Sequence, residues 1–235
     1  VGDGMKTLRG ISGKFFRALA QANINVRAIA QGSSERSISA VIGEAKAAEA
    51  VAVCHMNFFN SRQILDLVVL GVGGVGGALL SQVKKQRQEL LDAHGIEIRV
   101  VGIANSKHFI TNASGINLDN YLEELTSSNS RPFSIADAKS LIEDSHLVNP
   151  VFVDCTSDER IALMQIGYHV VTPNKKANTG TYDYYEGLRH TARLCHRKFL
   201  YEANVGAGLP VIGTLQNLLA AGDSLIEFSG IMSGT

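Results

Sequence analysis

The stretch Leu67-Val68-Val69-Leu70-Gly71-Val72-Gly73-Gly74-Val75-Gly76 decides how this chain is read. An apolar run enters G-x-G-x-x-G directly, and behind it Val75, Leu79 and Val83 recur at helical spacing. Strand, glycine turn and helix in that order form a cradle for phosphate. Gly71 permits the tight turn, Gly73 lets the backbone approach a pyrophosphate, and Gly76 lets helix and strand pack closely while the helix N-terminus faces the anion. A lone G-x-G-x-x-G is a weak signal. A second strand at Ile96 to Ala104 supplies the context the motif needs, so the reading is dinucleotide binding rather than a merely glycine-rich turn.

Outward from that motif, apolar runs alternate with amphipathic stretches. Strands are expected over Leu65 to Leu70, Ile96 to Ala104, Val151 to Thr156, His169 to Thr172 and Phe199 to Ala203, and helices over 75 to 93, 134 to 146, 158 to 166 and 181 to 197. This alternation argues an α/β chain built on a Rossmann-type, doubly wound, mostly parallel sheet. Ser134-Ile135-Ala136-Asp137 and Thr156-Ser157-Asp158-Glu159 both fit the capping box, and Gly167 supplies a stop for the second helix. The Asn- and Ser-rich segment from Ser106 to Arg131 reads as a loop with one short helix near Asn117 to Leu125.

Residues 1 to 60 have a different rhythm. Ile11, Phe15, Leu19 and Ala22 mark an amphipathic helix after the Gly2-Asp3-Gly4 turn. Alternations at Ile24, Val26, Ala28 and at Ile38, Ala40, Ile42 mark two strands joined through Gln31 to Arg36, and a helix over Glu44 to Cys54 closes the unit before a polar join, Asn57 to Gln63. This is a small α+β unit whose two-stranded sheet is marginal alone, so further strands are expected from residues before Val1 or from a partner chain. The start at Val1, without an initiator Met or signal-peptide pattern, reads as an excised piece of something longer.

Composition excludes several classes. Lys+Arg and Asp+Glu both number 22, and no basic run exceeds Lys84-Lys85, so the footprint of a nucleic-acid binder is missing. The longest apolar stretch, Leu65 to Val75, is broken by Asp66 and glycines and falls short of the roughly 20 residues of a membrane span, so a soluble chain is expected. Cys54, Cys155 and Cys195 lie far apart, which suits a reducing cytosol and three ordinary buried thiols. No G-x-x-x-x-G-K-[ST], G-x-S-x-G or H-E-x-x-H occurs, and His190, Cys195 and His196 lack a zinc spacing.

Four further segments carry chemistry. The second strand ends Ala104-Asn105-Ser106-Lys107, without the carboxylate that NAD-specific sites use on the ribose 2′-hydroxyl. Asn105 and Ser106 can donate hydrogen bonds and Lys107 can offset a 2′-phosphate, so NADP is the expected cofactor, with NAD the alternative and a plain solvated Lys107 the bland reading. Asp154-Cys155-Thr156-Ser157 and Thr172-Pro173-Asn174-Lys175-Lys176 end two later strands, at the edge where ligands sit in an open α/β sheet. Thr156 and Ser157 offer hydroxyls to the nicotinamide half, or Thr156 simply caps its helix; Lys175 is a candidate for polarising a carbonyl or hydroxyl there, or a surface lysine in a Lys-Lys pair. Glu202 to Pro210 is a glycine-interrupted loop that can aim backbone oxygens at one hard cation, although a strand-to-helix turn explains it as well.

Taken together, Gly71 to Gly76, Asp154 to Ser157, Thr172 to Ala177 and Glu202 to Pro210 resemble homoserine dehydrogenase. Gly2-Asp3-Gly4-Met5 and Ile29 to Glu35 look like the end of the ACT regulatory region of the bifunctional aspartokinase-homoserine dehydrogenases. The resemblance covers essentially the whole chain and implies domains at 1–60, a partial ACT-like unit, and 61–235, the NAD(P)-binding domain with the start of the substrate domain at its end. It implies NADP(H)-dependent interconversion of L-homoserine and L-aspartate 4-semialdehyde, on the route to threonine and methionine. By that resemblance Gly71, Gly73, Gly74, Val75 and Gly76 hold the pyrophosphate, and Thr156, Ser157 and Lys175 meet the reactive end of the cofactor. Glu202, Val205, Ala207 and Leu209 match the positions whose oxygens bind a structural sodium ion, and Gln31 matches a glutamine implicated in binding the inhibitor threonine. It implies a cytoplasmic enzyme, homo-oligomeric at full length, with no membrane or nucleic-acid partner.

The kinase domain, the carboxylates that hold homoserine and the principal acid-base lysine are not matched by any part of this sequence, so the segment alone is expected to bind cofactor and turn over poorly. The competing reading is a non-catalytic sensor, in which an ACT-like unit reads an amino acid and a Rossmann domain reads nucleotide state. A further enzyme alternative is another NADP-dependent semialdehyde or hydroxy-acid dehydrogenase, differing only in substrate. Asn174-Lys175-Lys176 with Val205-Gly206-Ala207-Gly208, which a sensor would not need, favours the enzyme.

Overall fold

Gly10, in the left-handed region at φ 81, turns the chain from a 3-10 turn at Asp3–Lys6 into helix α1, Ile11–Gln21. In the computed structural model, which describes residues 1–59, 62–127, 131–145, 147, 149–154 and 160–231, strands β1 (Val26–Gln31) and β2 (Ile38–Ile42) then form an antiparallel hairpin, with Ile29 opposite Ala40 and Gln31 opposite Ile38. A 3-10 turn at Glu44–Lys46 leads into α2, Ala47–Phe59. Leu19 and Ile24 pack with Ala50 and Val53 and against Val26, Ala40 and Ile42, so both helices lie over one face of the hairpin, as the alternation predicts. Helix α2 runs five residues past the expected stop at Cys54: Asn57 donates from its amide to the Val53 carbonyl inside the helix, and the expected polar join over Asn57 to Gln63 is helical for its first part.

The second unit starts with β3 (Gln63–Leu70), α3 (Gly74–His94) and β4 (Ile96–Ala104), followed by the short β5 (Phe109–Thr111) and α4 (Tyr121–Ser127). After α5 (Ile135–Ser145) come β6 (Pro150–Asp154), α6 (Arg160–Ile166), β7 (His169–Val171), α7 (Lys176–Thr179), α8 (Tyr182–Leu194), β8 (Phe199–Leu200) and α9 (Ile212–Ala220). The six strands form one sheet in the order β5-β4-β3-β6-β7-β8, parallel throughout except for β5 at the edge. Two half-sheets thus wind outward from β3 and β6. The crevice beyond the carboxyl ends of these two strands, where the winding reverses, is the ligand position of such sheets.

Period-two alternation divides the core. Val68 and Leu70 of β3 face one side, with Phe152, Val170, Ala138, Leu163 and Leu188; Leu67 and Val69 face the other, with Leu80, Val83, Ile103 and Leu125. Strand β4 keeps this pattern only because its register slips by one: Leu67 pairs with Val100 and Val68 with Gly102, leaving Val101 as an extra residue. Gly102 is the consequence, since a Cβ there would stand 3.1 Å from a Val68 methyl and 3.2 Å from the Phe109 ring. On the Val68 side, Asp66 is fully buried and receives two hydrogen bonds from the Arg99 guanidinium, at 2.7 and 2.9 Å, which satisfies a carboxylate that would otherwise be costly in a strand.

Several expectations are corrected. The segment from Ser106 to Arg131 contains strand β5, and its helix is Tyr121–Ser127 rather than Asn117 to Leu125, because Asn117 spends its side-chain oxygen on the Asp119 amide in a turn. Strand β8 stops at Leu200 rather than Ala203, and a 3-10 turn follows at Glu202–Asn204; helices α7 and α9 are additions to the expected elements. The apolar face of α3 buries Gly76, Leu80 and Val83, with Leu79 packed against the same core as expected, whereas Val75 is exposed at the helix start. Cys54 and Cys195 are half-buried rather than buried, with burial pushing the Cys54 thiol up, and Cys155 lies outside the described residues. Among the described residues no helix is long and apolar enough to cross a membrane.

Candidate functional site

The glycine turn has the geometry its spacing implies. Gly71 sits at φ 95, donating its N–H to the Ala104 carbonyl at 2.8 Å, so the end of β3 stays tied to the end of β4 while the chain turns. Gly73 precedes α3 in extended conformation, and an added Cβ on Gly73 or Gly74 would meet nothing within 4 Å. A Cβ on Gly76 would lie 1.8 Å from the Gly71 carbonyl oxygen. The third glycine is therefore required by packing, and the middle pair leaves open space at the N-terminus of a 21-residue helix, where unpaired N–H groups and the helix dipole attract an anion. Val75, 61% exposed, stands beside that space.

The end of β4 forms the neighbouring wall. Asn105 accepts the Lys107 and His108 amides on its side-chain oxygen, at 2.8 and 2.7 Å, and its own N–H bonds to the His108 carbonyl. Its oxygen is thus spent on shaping the turn into β5, and its donating capacity rests with the NH2 group. Ser106 and Lys107 are exposed at the tip of that turn.

Across the crevice, β6 ends at Asp154, fully buried, whose carboxylate pairs with the fully buried Arg160 guanidinium at the start of α6. Thr156 and Ser157 lie outside the described residues. Thr172, beyond β7, donates its hydroxyl to the Asp154 carbonyl at 2.8 Å and accepts the Asn174 amide at 3.0 Å. Asn174 in turn accepts the Lys176 amide, and the Lys175 carbonyl receives Asn178 and Thr179, so Lys175 opens α7 with its side chain exposed at the sheet's carboxyl edge.

The last wall is the turn after β8. Glu202 places its two carboxylate oxygens on the amides of Ile212 and Gly213, both at 2.8 Å, and so caps α9 from ten residues upstream. Gly206 (φ 72) and Ala207 (φ 52) turn the loop back through the left-handed region. The Glu202 carbonyl accepts the Val205 amide and the Leu209 carbonyl accepts the Val211 amide, so both of these oxygens, like the Glu202 carboxylate, are engaged by backbone N–H groups of the loop and of α9. Sequence reasoning missed this cap; Gly213, whose Cβ would stand 3.0 Å from the Glu202 carboxylate, was its only trace. Among the described residues no cluster of three or more His, Cys, Asp or Glu is gathered for a metal.

The sheet therefore brings Gly71 to Gly76, Asn105 to Lys107, Lys175 and Glu202 to Leu209 to its carboxyl edge. Gln31 is not among them. It ends β1 in the front unit, exposed and opposite Ile38.

Residues 71–202 match the family described as homoserine dehydrogenase, NAD binding domain, and residues 1–58 match an ACT domain. The whole chain is 53% identical to a bifunctional aspartokinase/homoserine dehydrogenase of Haemophilus influenzae, covering 29% of that protein. It is 32% identical to a homoserine dehydrogenase of Schizosaccharomyces pombe, over 74% of this chain and 48% of the relative. A hyperthermophilic archaeal homoserine dehydrogenase solved in complex with NADPH superposes with a TM-score of 0.50 at 25% identity, over 67% of this chain and 50% of that one. The chain spans 26% to 29% of the length of the bifunctional relatives it matches.

Proposed function

The chain belongs to the homoserine dehydrogenase NAD-binding family, with an ACT domain ahead of that module, and from this premise we propose that it is the cofactor-binding part of an NADP(H)-dependent homoserine dehydrogenase. The reaction is the interconversion of L-homoserine and L-aspartate 4-semialdehyde, within a bifunctional enzyme that also carries aspartate kinase, in the cytoplasm and as a homo-oligomer. The observation that carries this reading is the cradle itself: a left-handed Gly71, open space over Gly73 and Gly74, and a helix N-terminus against the end of β3. A pyrophosphate suits that position because, among the described residues, nothing lies within 4 Å of a Cβ on Gly73 or Gly74, and the first N–H groups of a helix favour an anion.

When bound, the nicotinamide cofactor supplies or accepts the hydride. Gly71 to Gly76 hold the phosphates. Ser106 and Lys107 meet the 2′-phosphate, whose two negative charges suit an exposed lysine and a wall without carboxylates. Lys175, Thr156 and Ser157 are the residues that would meet the nicotinamide half of the cofactor. The loop oxygens of Glu202, Val205, Ala207 and Leu209 are offered to a sodium ion, a hard cation that suits an all-oxygen donor set. Residues 1–60 form the regulatory unit, with Gln31 at the threonine-responsive position, and 61–235 form the dehydrogenase unit.

Titration with NADPH and NADH, followed by cofactor fluorescence, tests the reading. Tighter binding of NADPH, abolished by Gly73→Asp, is the expected result. Folded protein that binds neither cofactor would overturn the assignment of the glycine cradle as a cofactor site in this segment.

A further inference from the structure

We infer that Asn204 is a positioning residue for the reactive end of the cofactor site, acting through Lys175; the inference rests on the reading that Lys175 meets the cofactor. Asn204 closes the 3-10 turn after β8 and is only 6% exposed. Its amide nitrogen donates to the Thr172 carbonyl at 2.9 Å, and its amide oxygen accepts the Asn178 side-chain NH2 at 3.3 Å.

These two partners flank Lys175 in the chain. On the N-terminal side Thr172 is locked to the end of β6 through its hydroxyl, and it holds the Asn174 amide. On the C-terminal side Asn178 donates its backbone N–H to the Lys175 carbonyl at 2.9 Å, in the first turn of α7. Asn204 bonds to both flanks, so it clamps the ends of a seven-residue arc, 172 to 178, with Lys175 at its middle. A four-residue helix cannot hold such an arc by itself, because its nucleation cost is not recovered over one turn. The clamp comes instead from the neighbouring strand exit.

A carboxamide suits this task, donating a hydrogen bond from its nitrogen and accepting one on its oxygen. Aspartate at this position would turn an acceptor toward the Thr172 carbonyl with no proton between them. The same turn begins at Glu202, so the clamp also sets Lys175 in register with the loop that runs to Leu209. Small displacements of a positioned charge are costly at a reacting centre, which gives this buried amide leverage over binding.

The test is a double-mutant cycle on NADPH affinity in the protein, with N204D, K175M and the pair, each checked by thermal melting. The expected result is a loss of about tenfold for each single variant and no further loss, within about twofold, for the pair. Losses that multiply to about a hundredfold in the pair would show that Asn204 does not act through Lys175, and unchanged affinity in N204D would overturn the inference outright. K175M with unchanged affinity would remove Lys175 from the site and the inference with it, an outcome distinct from additivity. If N204D fails to fold, N178A carries the same cycle from the partly exposed side of the clamp, with the same outcomes deciding.

Discussion

The Cβ position of Gly76 lies 1.8 Å from the carbonyl oxygen of Gly71, a clash that no side chain can relieve because both partners are backbone. Gly76→Ala must therefore push α3 away from the end of β3. The expected cost is about 1–3 kcal/mol of stability, as for other overpacked sites, together with loss of NADPH binding. Gly73→Asp separates the two effects: its Cβ meets nothing within 4 Å, so its stability should stay within about 0.5 kcal/mol while its carboxylate repels the pyrophosphate. Melting curves and a fluorescence titration on both variants check this.

Lys107 stands exposed at the tip of the turn after β4, where Asn105 has committed its oxygen to the backbone. Lys107→Glu should move the ratio of NADPH to NADH affinity toward NADH by about tenfold or more, the scale expected when a charge-assisted hydrogen bond gives way to a repulsion. Parallel titrations read it, and an unchanged ratio would remove Lys107 from the 2′-phosphate.

Helix α9 buries none of its residues, so polar contacts hold it: Glu202 on its first two amides and Gln216 on the Tyr201 hydroxyl, which Arg189 also reaches. Glu202→Ala should cost about 1 kcal/mol of local stability and speed hydrogen exchange at Ile212 and Gly213. Glu202→Gln, which keeps one acceptor, should fall between. Exchange rates in α9 indistinguishable from the parent would mean the cap contributes nothing.

His169 accepts the Lys198 amide on its Nδ1 at 2.9 Å, which requires that nitrogen to be unprotonated. Burial, with Arg197 and Lys198 nearby, holds its pKa down to about 4 from an ordinary 6.5. Between those two values the unfolded chain binds more protons than the folded one, so stability rises with pH across the window and is lost as pH falls through it. Urea melts at pH 7 and pH 5 should show the loss, and His169→Gln should flatten that part of the profile.

How much was legible follows from which interactions are local. The β3 turn could be read because each glycine answers a constraint set within six residues; of the Ser134 capping box one half is present, Asp137 accepting the Ser134 amide at 2.7 Å, while the Ser134 hydroxyl donates to the same carboxylate. Strand β5 was missed because three residues at a sheet edge carry too short a pattern, and its existence depends on β4 lying alongside. Helix α9 was missed because its cap lies ten residues away in Glu202. Val75 is exposed while Leu79 and Val83 pack on the core, because the first turn of α3 lies at the open end of the sheet, which apolar spacing alone does not reveal.

By itself the sequence determined the alternation of the longer strands and helices, the glycine cradle and the absence of a carboxylate after β4, since period, turn chemistry and residue type act over a few neighbours. Only the tertiary structure decided the slipped register at Val101, the Asp66–Arg99 pair, the cap from Glu202 to α9 and the clamp of Asn204 on Thr172 and Asn178. Those are contacts between segments 10 to 34 residues apart in the chain, and they arise because parallel strands bring distant residues side by side, where buried polar groups must find partners that no local pattern announces.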